Sequence, residues 1–99
     1  MNVNTPVKFV LDQNHPNPFN PSTAIGFQLS AFSKVELTIL NILGQKVRTL
    51  VDEEKTAGTY SVIWDGFDDA GQPVDSGIYF YALTCDGKIT ESKKMCLMK

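Results

Sequence analysis

The chain has 99 residues, 42% of them apolar and 20% charged, and a net charge of −2. That length fits one domain and leaves no room for a second. The composition is that of a folded globule, and the charge argues against a general nucleic-acid binder. No apolar run approaches the roughly 20 residues needed to cross a bilayer, and Met1 to Leu11 lacks the basic start and apolar block of a secretory signal peptide.

Val7 to Leu11 reads as a short opening strand. Gln13 to Thr23 follows, QNHPNPFNPST, with prolines at Pro16, Pro18 and Pro21. Each proline fixes its own φ and pushes the preceding residue toward extended backbone, so this segment is a stiff, irregular strap. Phe19 is its one large apolar side chain and is expected to plug the end of the core. His15 reads as a surface or backbone-bonding residue, because no Ser or Cys constellation accompanies it.

Thr23 to Leu29 alternates, with Ile25, Phe27 and Leu29 on one face. Val35 to Asn41 alternates in the same way through Val35, Leu37 and Ile39. Asn41-Ile42-Leu43-Gly44 is a turn in which Gly44 can take positive φ without steric cost. Lys46 to Val51 returns as a strand whose apolar residues Val47 and Leu50 have mismatched parity, so a bulge or bend is expected near Arg48 and Thr49. Asp52 to Ala57 reads as a charged loop.

Gly58 to Leu83 is the centre of the chain. Thr59 to Trp64 sets Tyr60, Val62 and Trp64 against Thr59, Ser61 and Ile63, and Ile78 to Leu83 is rich in aromatic and branched residues. Between them, Asp65, Gly66, Asp68, Asp69, Gly71, Pro73, Asp75, Ser76 and Gly77 are too dense in turn formers to continue either strand. Trp64 is the single Trp, placed to anchor a core against Tyr60 or Tyr79. Asp86-Gly87 is a two-residue hairpin signal, and Ile89 to Met98 closes the sheet. Met95 and Leu97 share the face of Tyr79 only if that hairpin carries a bulge.

Seven short strands without a helical period describe an all-β fold, a seven-stranded antiparallel immunoglobulin-like β-sandwich. It lacks the Cys–Trp–Cys signature of antibody domains. Across the Asp86-Gly87 turn Cys85 faces Lys88, which puts Cys96 roughly 26 Å further along the strand. A disulfide requires Cα atoms within about 7 Å, so both cysteines read as free thiols.

Charge is unevenly distributed. Residues 52–86 carry eight acids and one base, whereas residues 87–99 carry four lysines and one acid. The lysines suit either protection of an edge strand or a basic terminal strand shown to a receptor. Asp65, Asp68 and Asp69, with Asp75, could supply oxygen ligands to Ca²⁺, but their spacing is not that of an EF-hand, and turn capping is the favoured reading. Phe80 and Tyr81 could form an aromatic row that stacks on sugars, but core packing is the favoured use for at least one of them. No catalytic residue, cofactor or metal site is expected: no nucleophile–base pair is visible, and one His with two Cys supplies too few soft ligands for zinc.

Four segments together resemble a known family. Gln13 to Ile25 (QNHPNPFNPSTAI), Leu43 to Leu50 (LGQKVRTL), Gly58 to Leu83 and Lys94 to Lys99 (KMCLMK) are similar to the type A C-terminal sorting domain of type IX secretion substrates. The Trp64-Asp65-Gly66, Asp68-x-x-Gly71 and Ser76-Gly77-x-Tyr79 pattern also resembles the immunoglobulin-like domain of flagellar hook-capping proteins. The sequence departs from the sorting pattern at His15, where an aromatic is usual, and at Cys96, where an aliphatic is usual.

The resemblance implies a sorting domain over 13–99, preceded by a linker and first strand over 1–12, with 7–99 as the folded unit. It implies a non-catalytic address, read by outer-membrane sorting and secretion machinery, that directs an N-terminal cargo domain to the cell surface. The strand pattern itself is read as a monomer, and the net charge as no nucleic-acid binder. Gly44, Gln45, Lys94, Met95, Leu97 and Lys99 match the family's recognition motifs. Phe19, Trp64, Gly66, Gly71, Gly77, Tyr79 and Tyr81 are expected to supply core and turns. Met95 and Leu97 would dock the terminal strand and leave Lys93, Lys94, Lys99 and the carboxylate for a receptor at the free edge. The competing expectation is an accessory carbohydrate-binding or spacer module of a secreted hydrolase or adhesin.

Overall fold

The computed structural model describes residues 9–99. Seven strands form, β1 (Phe9–Leu11), β2 (Thr23–Leu29), β3 (Ser33–Leu40), β4 (Lys46–Lys55), β5 (Gly58–Trp64), β6 (Gly77–Cys85) and β7 (Lys88–Leu97). They build a three-stranded sheet in the order β1-β2-β5 and a four-stranded sheet in the order β4-β3-β6-β7, all pairs antiparallel. The expected residues Val7 and Lys8 of the first strand lie outside the described residues.

The alternating sequences give each sheet one apolar face, and those faces meet. Ile25, Phe27 and Leu29 of β2 face Val35, Leu37 and Ile39 of β3 and Tyr79, Tyr81 and Leu83 of β6 in one continuous buried cluster. Fully burying one such side chain is worth about 1.5–3 kcal/mol, so this interface dominates stability. Trp64 packs edge-on against Tyr79 at 5.4 Å between ring centroids and beside Phe19 at 5.7 Å. Tyr60 is elsewhere, stacked on Phe27 at 5.4 Å.

The parity problems in the sequence are resolved by bulges. In β4 the register steps from Leu37↔Val51 to Thr38↔Thr49 and from Ile39↔Arg48 to Leu40↔Lys46, leaving Leu50 and Val47 as the extra residues. Both therefore pack against the core. In the β6–β7 hairpin the register steps from Leu83↔Glu91 to Thr84↔Ile89, leaving Thr90 extra. That step aligns Met95 with Tyr79 and turns Ile89 outward.

One expected loop is a strand. Residues 52–55 continue β4, pairing Glu36↔Asp52, Val35↔Glu53 and Lys34↔Glu54. Charged residues are tolerated there because β4 is an edge strand with one side in water, and Lys34 Nζ meets Asp52 Oδ1 at 3.0 Å. Cys85 lies opposite Lys88 and Cys96 opposite Ile78, and both thiols are free.

Candidate functional site

The strap is fastened by its polar side chains. Asn14 is buried. Its backbone N–H donates to Tyr81 Oη at 2.8 Å, and its Nδ2 donates to Pro16 O at 3.1 Å and Thr23 Oγ1 at 3.0 Å. Tyr81 Oη donates in turn to the Asp12 carbonyl at 2.7 Å. Burial pushes the Tyr81 phenol up to about 12 against the lowering effect of the Asn14 amide. Tyr81 is wholly interior and so forms no outward aromatic row with Phe80, which is half-buried on the other face. His15 exchanges two backbone hydrogen bonds with Ala24, both at 2.9 Å. The bonds His15-Pro16, Asn17-Pro18 and Asn20-Pro21 are cis.

Past Asn14 the strap runs along the outer edge of β7. Gln13 Nε2 donates to Lys94 O at 2.8 Å, and Asn17 Oδ1 accepts from Cys96 N at 3.0 Å. Phe19 N donates to Cys96 O at 3.0 Å, and Met98 N donates to Phe19 O at 2.9 Å. The edge expected to be open for strand addition is therefore occupied by the protein's own strap from Lys94 to Met98. Gln13, Asn14 and Asn17 carry this arrangement, and sequence reasoning missed them. The Pro-rich spacing signalled stiffness, but nothing in it said which strand the strap would meet.

The β7 side chains divide by pleat. Met95 and Leu97 are buried at 1% exposure each, whereas Lys94 and Lys99 are exposed. Lys93 shares the inward parity, and its Nζ pairs with Glu91 Oε2 at 3.4 Å, while Glu91 Oε1 accepts from Leu11 N at 3.2 Å. Lys93 is consequently part of the β1–β7 seam and not available to a receptor as expected. The Lys99 N–H donates to Ser76 Oγ at 2.9 Å, which ties the chain end to the loop before β6.

That loop, residues 65–76, is a set of side-chain-capped turns. Asp65 Oδ1 accepts from Phe67 N at 3.0 Å, and Asp68 Oδ1 accepts from Ala70 N at 3.0 Å and Gln72 N at 2.9 Å. Asp69 Oδ1 accepts from Thr49 N at 3.1 Å. Arg48 reaches across from β4, its Nη1 3.2 Å from Asp65 Oδ1 and 2.9 Å from Phe67 O. With Phe67 and Gly71 these residues line an open depression of about 400 Å³. Asp65, Asp68 and Asp69 each use one carboxylate oxygen, Oδ1, to cap backbone amides, and the Oδ1 atoms of Asp65 and Asp69 also face Arg48. Trp64 Nε1 donates to Phe67 O at 2.9 Å, and Tyr79 Oη donates to Asp75 O at 2.7 Å, locking the loop to the core. Gly66 has φ +82°, and a Cβ there would sit 3.0 Å from Pro21 O, so loop and strap meet at a position only glycine fits. Gly71 and Gly77 flank the loop's second half.

The β3–β4 turn lies at the same end, since Leu40, Phe80 and Lys94 are register neighbours across the sheet. Asn41 Oδ1 accepts from Leu43 N at 2.9 Å and Gln45 N at 3.0 Å, and Gly44 takes φ +79°. This rigid turn displays Ile42 and Leu43 at 70% and 76% exposure, beside exposed Gly44 and Gln45. The fold thus brings Gly44, Gln45, Lys94 and Lys99 to one end of the sandwich, with Met95 and Leu97 beneath.

The sequence matches the model of the FlgD Ig-like domain over residues 13–88. The chain belongs to that family. As an FlgD Ig-like domain it is similar in structure to FlgD from P. aeruginosa, with a TM-score of 0.56 and 23% identity over 76% of this chain and 60% of that one. It is also similar to dimeric latent PorU from Porphyromonas gingivalis, with a TM-score of 0.78 and 18% identity over 97% of this chain. PorZ, an essential bacterial surface component of the type-IX secretion system of the same organism, gives a TM-score of 0.54 and 19% identity over 94% of this chain. The domain spans 10% of the PorU chain and 11% of the PorZ chain. No curated protein matches the sequence.

Proposed function

We propose that this domain is a non-catalytic sorting module which directs a larger cargo protein across an outer membrane to the cell surface through type IX secretion machinery. The observation that carries this reading is the division of labour in the terminal KMCLMK segment. Buried Met95 and Leu97 anchor it, while Lys94 and Lys99 stay exposed at the end that also displays Gly44 and Gln45. A receptor can read those groups without unfolding the domain. Fold likeness to PorU and PorZ chains supports the same reading. The domain acts as a monomer joined through its N-terminal side to the cargo, and recognition belongs to the machinery rather than to a small ligand.

The test is a secreted reporter enzyme fused to the domain, carrying Lys94→Ala and Lys99→Ala together. Neither side chain contributes to the core, so the variant domain folds. The expected outcome is retention of active reporter inside the cell, against surface delivery for the unmodified fusion. Equal delivery of both fusions would falsify the assignment of recognition to these lysines.

A further inference from the structure

The outer face of the four-stranded sheet is of two kinds. Toward the Asp86-Gly87 hairpin it carries Glu36, Asp52, Glu54 and Lys34, with Lys34 paired to Asp52. Toward the other end the register places Lys46, Leu40, Phe80 and Lys94 in one row across all four strands. Ile78 and Cys96 flank that row, opposite each other, and Ile78 is 39% exposed. Leu40, Phe80 and Cys96 are half-buried, so an apolar strip lies open between two lysines.

Half of the eight lysines and arginines among the described residues are paired with acids. Lys34, Arg48, Lys55 and Lys93 all sit in ion pairs. Lys46 and Lys94 are exposed at the two edges of the apolar row, and neither ammonium makes an ion pair among the described residues. Three strand intervals of roughly 4.8 Å put their backbones about 14 Å apart, close to four residues of extended chain at about 3.3 Å each.

We propose that this face, centred on Leu40 and Phe80 between Lys46 and Lys94, docks an extended segment of a partner protein bearing aliphatic side chains between two carboxylates four residues apart. Charge complementarity selects the occupant: the strip supplies apolar contact and the lysines fix both ends. An anionic membrane fits less well. A flat negative surface at this end would also meet the exposed Asp69 and Asp75 of the neighbouring loop, whereas a single segment crossing the row meets only the lysines. The inference rests on the sorting reading for where the partner resides, and on the sheet face alone for its chemistry.

The experiment is a heteronuclear NMR titration of the 99-residue chain with a synthetic peptide holding three aliphatic residues between two glutamates. Amide shifts are expected at Leu40, Ile78 and Phe80. The same peptide with lysines in place of the glutamates should leave them unmoved. Lys46→Glu with Lys94→Glu should weaken the acidic peptide by about tenfold or more, as reversed rim charges do. Phe80→Ser, which keeps both lysines, should weaken it as well. The inference is overturned if those amides stay still or if both peptides act alike. It is equally overturned if phosphatidylglycerol vesicles bind instead and broaden Ile42 and Leu43. Export is not a readout here, so failure of the sorting reading leaves this result interpretable.

Discussion

The backbone of Phe19 brackets Leu97: Phe19 N–H donates to the Cys96 carbonyl at 3.0 Å, and the Phe19 carbonyl accepts from Met98 N–H at 2.9 Å. The strap thus forms a short parallel bridge on the outside of the last strand. A proline-rich segment that reads as irregular in sequence becomes the guard of the sheet edge where recognition is proposed. Edge strands left bare invite unwanted pairing. Here the guard also carries an anchor, because the Phe19 ring is buried against Trp64.

A consequence concerns truncation. Removing residues 94–99 deletes buried Met95 and Leu97 together with the strap's hydrogen-bond partners. Each large core side chain lost costs about 2–5 kcal/mol, and a domain holds only about 5–15 kcal/mol in total. The truncated domain is expected to lose its cooperative unfolding transition in circular dichroism. Lys94→Ala with Lys99→Ala should stay within about 0.5 kcal/mol of the parent, as surface changes do. A truncated domain that still melts cooperatively would contradict the anchoring role of Met95 and Leu97.

Trp64 links both sheets to the loop. It is fully buried, contacts Phe19 and Tyr79, and donates from Nε1 to Phe67 O. Trp64→Ala should cost about 3–5 kcal/mol in urea unfolding. A loss below about 1 kcal/mol would mean that the site collapses around the cavity.

Tyr81 makes stability depend on alkaline pH. Its folded-state value is raised from 10.0 to about 12, chiefly by burial. A raised value means the folded state holds its proton more tightly than the unfolded one. Stability is therefore fully present below about pH 10 and is lost as pH climbs toward about 12. Tyr81→Phe should remove that part of the decline. It also leaves the Asn14 amide and the Asp12 carbonyl without their partner, at a cost of about 1–3 kcal/mol at neutral pH. Thermal melts from pH 8 upward on both proteins measure the two effects together.

The acidic loop is held by its own backbone. Asp68→Ala removes the acceptor of Ala70 N and Gln72 N, so a loss of about 1 kcal/mol is expected, as for other capping acceptors. Asp68→Asn, which keeps an acceptor oxygen, should restore most of it. Calcium or a chelator should leave the melting temperature of the parent unchanged. A calcium-dependent rise would show that the carboxylates can turn away from their amides to bind the ion.

Much of the architecture was legible in residue order, because local rules act on local patterns. Alternation in Thr23–Leu29 and the Asp86-Gly87 signal placed strands and a hairpin, and parity conflicts at Val47, Leu50 and Met95 announced bulges. Trp64 stood out by size alone. What the tertiary structure decided was long-range and polar. Glu53 and Glu54 belong to a strand because β3 offers them a ladder and the far side is solvent. Tyr81 holds the strap from the interior because its hydroxyl finds Asp12 and Asn14, residues some seventy positions away in the chain. Lys93 differs from Lys94 only through a bulge that sets which face each takes. The strap's choice of β7 depends on side-chain amides of Gln13 and Asn17 meeting backbone groups that exist only once the sheet is assembled. Periodicity is a property of neighbours in sequence; hydrogen-bond partnership across the fold is not.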